Sequence, residues 1–191
     1  MKRLLETLPA LAVAGLLGAC SSTPPLQFYT LGPLAAPPAS AAPASTGASL
    51  VVGPVSVPAT IDRLLIVRLA GSRADVAEHH RWAAPLKTEI ARRVAADLAR
   101  RSPYARSVAW PQASIADPTL SVPIDVQRFE ADGFERVTLE AVWTVRQAGR
   151  DLASHRFSAT EPIAAPNFEA LASAHGRLVD ALAAEIAAAL P

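Results

Sequence analysis

The sequence predicts an α+β domain: a mixed, largely antiparallel sheet with two long helices on one face, preceded by a signal peptide and a Pro/Ala-rich tether. Three observations predict this. Apolar residues recur at helical spacing in two stretches, residues 82–101 and 167–190. About six other stretches are β-branched or alternate apolar with polar residues. The two patterns do not alternate strictly, which separates an α+β chain from a doubly wound one.

The first twenty residues carry a different signal. Lys2 and Arg3 precede an apolar run from Leu8 to Leu17, and Gly18-Ala19 lead into Cys20, the one cysteine among 191 residues. The run is shorter than the roughly 20 residues a spanning helix needs. It reads as the h-region of a secretory signal, and Leu17-Gly18-Ala19-Cys20 reads as a lipobox. Lipoprotein processing puts diacylglycerol on the cysteine sulfur, cuts before that cysteine and acylates the new amine. Small side chains at 18 and 19 let the backbone enter the peptidase site. At roughly 0.8 kcal/mol per buried methylene, three acyl chains make a lasting anchor. An ordinary signal with a chance cysteine is the competing reading. The lone cysteine sits at the one position a lipobox needs, which argues against it. Ser21 stands where an inner-membrane retention aspartate would be, so sorting favours the outer membrane, facing the periplasm.

Cleavage removes Lys2, Arg3 and Glu6 and leaves 172 residues with sixteen basic and sixteen acidic side chains. That length suits one domain plus a tether. Neither a basic excess nor a polyacidic run points to nucleic acid or an acidic tail. With Cys20 acylated, no thiol remains for a disulfide, a nucleophile or a metal. The division is 1–19 signal peptide, 20–48 lipidated tether and 49–191 folded domain. The tether has no charged residue and is rich in proline. Its 28 residues after Cys20 reach about 80 Å if fully extended. Within it, Phe28-Tyr29-Thr30-Leu31 is an apolar island, open between docking as a short strand and disorder.

Leu50–Pro58 is a strand with a bulge or edge position at Pro54. The near-continuous apolar run Leu64–Leu69 predicts a strand covered on both faces. Gly71–Asp75 is a turn, followed by a charged loop. A helix runs from Trp82 to Arg101. Pro85 lies in its first turn, Leu86, Ile90, Val94 and Leu98 form its buried stripe, and Lys87, Glu89, Arg92, Arg93, Asp97 and Arg100 its polar side. Ser107–Trp110 is a short strand. Leu120–Phe129, Arg136–Arg146 and Leu152–Ala159 form an antiparallel meander, turned at Asp132-Gly133. The closing helix, Asn167–Leu190, is capped by Asn167 and presents Phe168, Leu171, His175, Leu178, Leu182, Ile186 and Leu190.

Chemistry-bearing constellations are sparse. The chain lacks a nucleophile elbow, a P-loop and a dinucleotide fingerprint. His79 and His80 are adjacent and diverge on any regular element; His155 and His175 lie far apart in sequence. A zinc site needs three or four converging ligands, so no metal and no cofactor is expected beyond the acyl groups on Cys20. Asp125 and Glu140 could face each other across the meander, though a solvated sheet face is the plainer reading. The three tryptophans default to core, and Trp82, at a helix start after a charged loop, is the one most open to a surface role.

The segments Cys20-Ser21-Ser22, Phe28-Tyr29-Thr30-Leu31, Val52-Gly53-Pro54-Val55, Ile61-Asp62-Arg63 with Ile66-Val67-Arg68, and Arg81-Trp82-Ala83 with Pro85-Leu86 come in the order seen in the ABC-type transport auxiliary lipoproteins, the PqiC-like group. The chain resembles that family across residues 20–101, and beyond them in pattern only. The resemblance implies a non-enzymatic, outer-membrane-anchored partner of an envelope lipid transporter. In such systems an inner-membrane ABC ATPase and permease joins an MCE-domain protein that crosses the periplasm, and the lipoprotein docks its far end, supporting membrane integrity. It also implies that Asp62, Arg63, Arg81, Trp82, Pro85 and Leu86 build a shared partner-binding surface or the core beneath it. A homo-oligomeric collar would suit a tunnel's end. One departure stands out: Gly71–His80 is polar and charged, where the family tends to be apolar. The alternative function is a stand-alone envelope lipoprotein that binds peptidoglycan, a ligand or another outer-membrane protein.

Overall fold

A computed structural model describes residues 24–34 and 47–191. The signal peptide, Cys20 and residues 35–46 of the tether lie outside the described residues.

The sheet is arranged about one long strand, β6 (Leu120–Asp132). Along one edge it pairs antiparallel with β7 (Arg136–Gln147), which pairs antiparallel with β8 (Arg150–Pro162). This is the meander expected from the alternation. The other edge of β6 is divided. Its first half pairs parallel with β2 (Ser49–Ser56), and its end pairs parallel with β3 (Leu65–Ala70). β2 then carries β5 (Arg106–Ala109) in parallel, and β3 carries β4 (Arg73–Trp82) antiparallel. Last on that side is β1 (Gln27–Tyr29), parallel to β4. The result is an eight-stranded mixed sheet with two helices, α1 (Leu86–Arg101) and α2 (Phe168–Ala189). Among the described residues no helix is long and apolar enough to cross a membrane.

Two bulges explain where the alternation breaks. In β6, Leu120, Val122, Ile124 and Val126 face the core, and so do Phe129 and Ala131, one residue out of phase. The register slips between Val126 and Arg128, so the extra residue restores the inward face. In β2 the register slips between Val52 and Val55, around Pro54, which has no N–H to give the ladder. Beside it, Gly53 has φ +118°, and an added Cβ would lie 3.1 Å from the Trp110 Cβ. Trp143, fully buried, stacks on its cross-strand partner His155 at 4.4 Å.

Within residues 49–191 the structure departs from the sequence reading in four places. Residues 73–82 form strand β4 instead of a charged loop, because the short turn at Gly71 returns the chain antiparallel along β3. The first helix begins at Leu86 instead of Trp82. Trp82 finishes β4, donating its N–H to the Leu64 carbonyl at 2.7 Å, and the residue before Pro85 is held out of helical conformation. Arg93 and Asp97 are buried instead of lining a solvated helix face. Finally, β3 is covered on one face only: Ile66 is buried, whereas Leu65, Val67 and Leu69 on the other face remain partly open. The closing helix behaves as expected, with the Asn167 side chain accepting the Ala170 N–H at 2.8 Å.

Candidate functional site

Residues 24–34, all of which read as tether in the sequence with Phe28–Leu31 open to docking as a short strand, belong to the fold. They form a strap across the edge of the sheet and over the helices. Phe28 pairs with Arg81 and Tyr29 with Trp82 through β1, and the Tyr29 carbonyl accepts the Ala83 N–H at 2.7 Å. Leu31 then drops into the core at 2% exposure. Two groups fix the next three residues. The guanidinium of Arg93 donates to the carbonyls of Leu31, Gly32 and Pro33 at 3.0, 2.7 and 2.9 Å. It also grips both carboxylate oxygens of Asp180 at 2.7 and 2.8 Å. Opposite lies Gly176, in the middle of α2, where an added Cβ would sit 1.9 Å from the Leu31 carbonyl oxygen. Only glycine lets the strap approach the helix so closely.

The strap also closes a cleft of about 580 Å³ against the start of α2, lined by Tyr29, His80, Phe168, Glu169 and Ser173 among others. Its wall is aromatic. His80 stacks on Phe168 at 3.7 Å, Phe134 meets Phe168 edge-on at 5.2 Å, and the Arg68 guanidinium lies 4.3 Å from the Phe134 centroid. The Tyr29 hydroxyl donates to Gln27 at 2.6 Å and is 2.9 Å from His80 Nδ1, so that nitrogen carries the donated proton between them. Burial, then the His79 and Arg68 charges, pushes the His80 pKa down, and burial with Glu169 pushes that of Tyr29 up. Both shifts disfavour the charged form of the ring.

The residues singled out by family resemblance gather around the corner between β4 and α1. Asp62 sits in the turn before β3, where its N–H and that of Ile61 both bond the Pro58 carbonyl at 3.0 Å. Its carboxylate reaches Lys87 at 3.1 Å and ties that turn to the first turn of α1. Arg63 is exposed in the same turn, and Pro85 is exposed at the helix start. Arg81 is half-buried between Phe28 and Leu65. Leu86 and Trp82 are core, each 3% exposed. Trp82 is therefore no surface anchor; the exposed tryptophan is Trp110, at 53%.

Trp82 and Phe129 pack edge-on against the buried His175 ring, at 5.2 and 4.6 Å. His175 donates from Nδ1 to the Leu171 carbonyl at 2.9 Å. Burial pushes its pKa down from 6.5 to about 4. The folded state therefore resists protonation that the unfolded chain accepts. Stability is complete above pH 6.5 and falls towards pH 4, by about 1.4 kcal/mol per unit and of the order of 3 kcal/mol in all. Urea denaturation across that range is expected to show this slope in the native chain and a slope one proton shallower in His175→Phe. Equal slopes would contradict the assignment.

The remaining candidates are occupied by structure. Asp125 accepts from Ser56, and Glu140 lies 3.6 Å from Arg128, so the two carboxylates do not pair with each other. His79 and His80 diverge, and no three metal-ligating side chains converge among the described residues. The clamp formed by Arg93, Asp180 and Gly176 was missed by sequence reading. The one available signal was Gly176 itself. A glycine inside an alanine-rich helix costs roughly 0.5–1 kcal/mol against alanine, so its presence marks a close approach.

Two solved structures share this fold. One, an uncharacterized protein, superposes with a TM-score of 0.70 at 16% identity, covering 86% of this chain and 98% of its own. The other, protein XCC0632 from Xanthomonas campestris, of the DUF330 family model, gives 0.66 at 21% identity, covering 84% and 91%. No curated protein matches the sequence. A family model described as ABC-type transport auxiliary lipoprotein component matches residues 29–187, beginning inside the strap and ending near the end of α2. The chain belongs to the ABC-type transport auxiliary lipoprotein component family.

Proposed function

We propose that this chain is the outer-membrane-anchored, periplasm-facing component of an MCE-type envelope lipid transporter. It docks the periplasm-spanning MCE protein, which joins an inner-membrane ABC ATPase and permease, and it does so without catalysis. Family membership over residues 29–187 is the observation that carries this reading. The lipobox ending at Cys20 supports the anchor, and Ser21 supports the outer membrane over the inner. Two structural facts agree with a docking role. The most strongly perturbed histidine, His175, is sealed in the core as a packing group. The corner holding Asp62, Arg63 and Pro85 combines an exposed surface with a rigid base of Trp82 and Leu86.

The test is purification of the tagged chain from detergent-solubilised native membranes. An MCE protein encoded nearby, with its ATPase and permease, is expected in the eluate. Its consistent absence, with the tagged chain intact and abundant, would overturn the docking role.

A further inference from the structure

The outer face of the sheet is not uniform. Across β6, β7 and β8 it is polar, with Thr138 bonded to Thr160 and Thr144 to Ser154 across strands, and Arg128 beside Glu140. Across β1, β4 and β3 it is mixed, with exposed apolar side chains set beside Glu78, His79 and Arg81. Phe28 is registered with Arg81 and Arg81 with Leu65, so these three share the face turned away from Ile66 and the core. Val67 and Val76 are paired on that same face two residues further along β3. Leu26 lines a shallow hollow with Pro24, Leu65, Glu78, His79 and Arg81. Three of the large apolar side chains most open to solvent fall in this one corner: Leu26 at 47%, Phe28 at 61% and Val76 at 36%. An apolar patch of this kind marks a contact surface, and it explains why Leu64–Leu69 reads as a strand covered on both faces.

The chain length decides what covers it. The strap fixes Pro24 beside this patch, and Pro24 is four residue steps from Cys20, with three residues between them. At 3.3–3.6 Å per residue that link spans about 14 Å at most, not the 80 Å or so that a tether running to residue 48 would give. Resting on the lipidation of Cys20, we propose that this face, centred on Leu26, Phe28 and Val76, lies on the phospholipid leaflet that holds the anchor. The clamp then has a purpose. It converts a long proline-rich leash into a short one and orients the domain, with β1, β4 and β3 towards the bilayer and β8 away from it.

The test uses the full lipidated chain, reconstituted in vesicles of phosphatidylethanolamine with a minor share of phosphatidylglycerol, some carrying brominated acyl chains. Acylated Cys20 is no longer a thiol, so Phe28→Cys, Val76→Cys and Leu152→Cys each accept one environment-sensitive fluorophore. Leu152, 52% exposed on β8, is the control. Labels at 28 and 76 are expected to be quenched several-fold more strongly by bromolipid than the label at 152. Two positions on different strands keep the result readable if one substitution loosens the strap. Equal, weak quenching at all three sites overturns the proposal, and so does burial of the patch between two copies, seen as a cross-linked dimer with no bromolipid quenching. Intact mass separates this from the anchor itself. An acylated chain with unquenched labels rejects the leaflet contact alone, and a chain without acyl groups rejects both readings.

Discussion

Arg93→Ala lowers the stability of the domain by about 3–5 kcal/mol and frees the strap. Arg93 and Asp180 are 7% and 12% exposed, so removing the guanidinium leaves a carboxylate with little water and no counter-charge. It also strips donors from the carbonyls of Leu31, Gly32 and Pro33. Lysine is no substitute, since a single ammonium cannot fork between a carboxylate and three carbonyls. Urea denaturation should show the lost stability, and limited chymotrypsin digestion should show cleavage after Phe28 and Tyr29, which β1 pairing protects in the native chain. An unchanged midpoint with both bonds protected would contradict the clamp. Gly176→Ala is a companion test with the opposite default. Alanine in a helix interior normally stabilises by roughly 0.5–1 kcal/mol; here its Cβ meets the Leu31 carbonyl, and a destabilised, protease-sensitive strap is expected instead.

If Cys20 carries the proposed anchor, Cys20→Ser is expected to remove the chain from the outer-membrane fraction. Serine offers no thiol for the diacylglycerol, so the lipid is not attached and the cut that exposes residue 20 for N-acylation does not follow. At about 0.8 kcal/mol per buried methylene, the loss of three chains removes essentially all membrane affinity from the lipid. Density-gradient fractionation with intact mass measures it. The native chain is expected in outer-membrane fractions with acyl mass on Cys20, and the variant without that mass and outside those fractions. A variant that still co-sediments with the outer membrane would show that another feature of the chain holds it there.

Much of the fold was legible because periodicity and burial agree along the meander and both helices. Val137 to Val145 alternates in sequence and in exposure, and Leu171, His175, Leu178 and Leu182 form one buried stripe. The reading failed where tertiary partners override local pattern. Arg93 and Asp97 sit on a polar helix face that the strap and neighbouring arginines bury. Residues 24–34 have the composition of a linker, yet parallel pairing, one buried leucine and one arginine hold them to the domain. Parallel pairing joins residues far apart in sequence, so no local turn signal announces it. The corner around Trp82 was legible as a segment but not as a depth. A tryptophan next to charged residues can face either way, and only the packing against His175 and Phe129 decides it.

The measurement closest to the central claim is direct binding of the purified, vesicle-anchored chain to the purified MCE protein encoded nearby, by titration. Saturable binding that survives physiological salt is the predicted result. An acylated, correctly folded chain that shows no binding to that protein at any accessible concentration would contradict the claim.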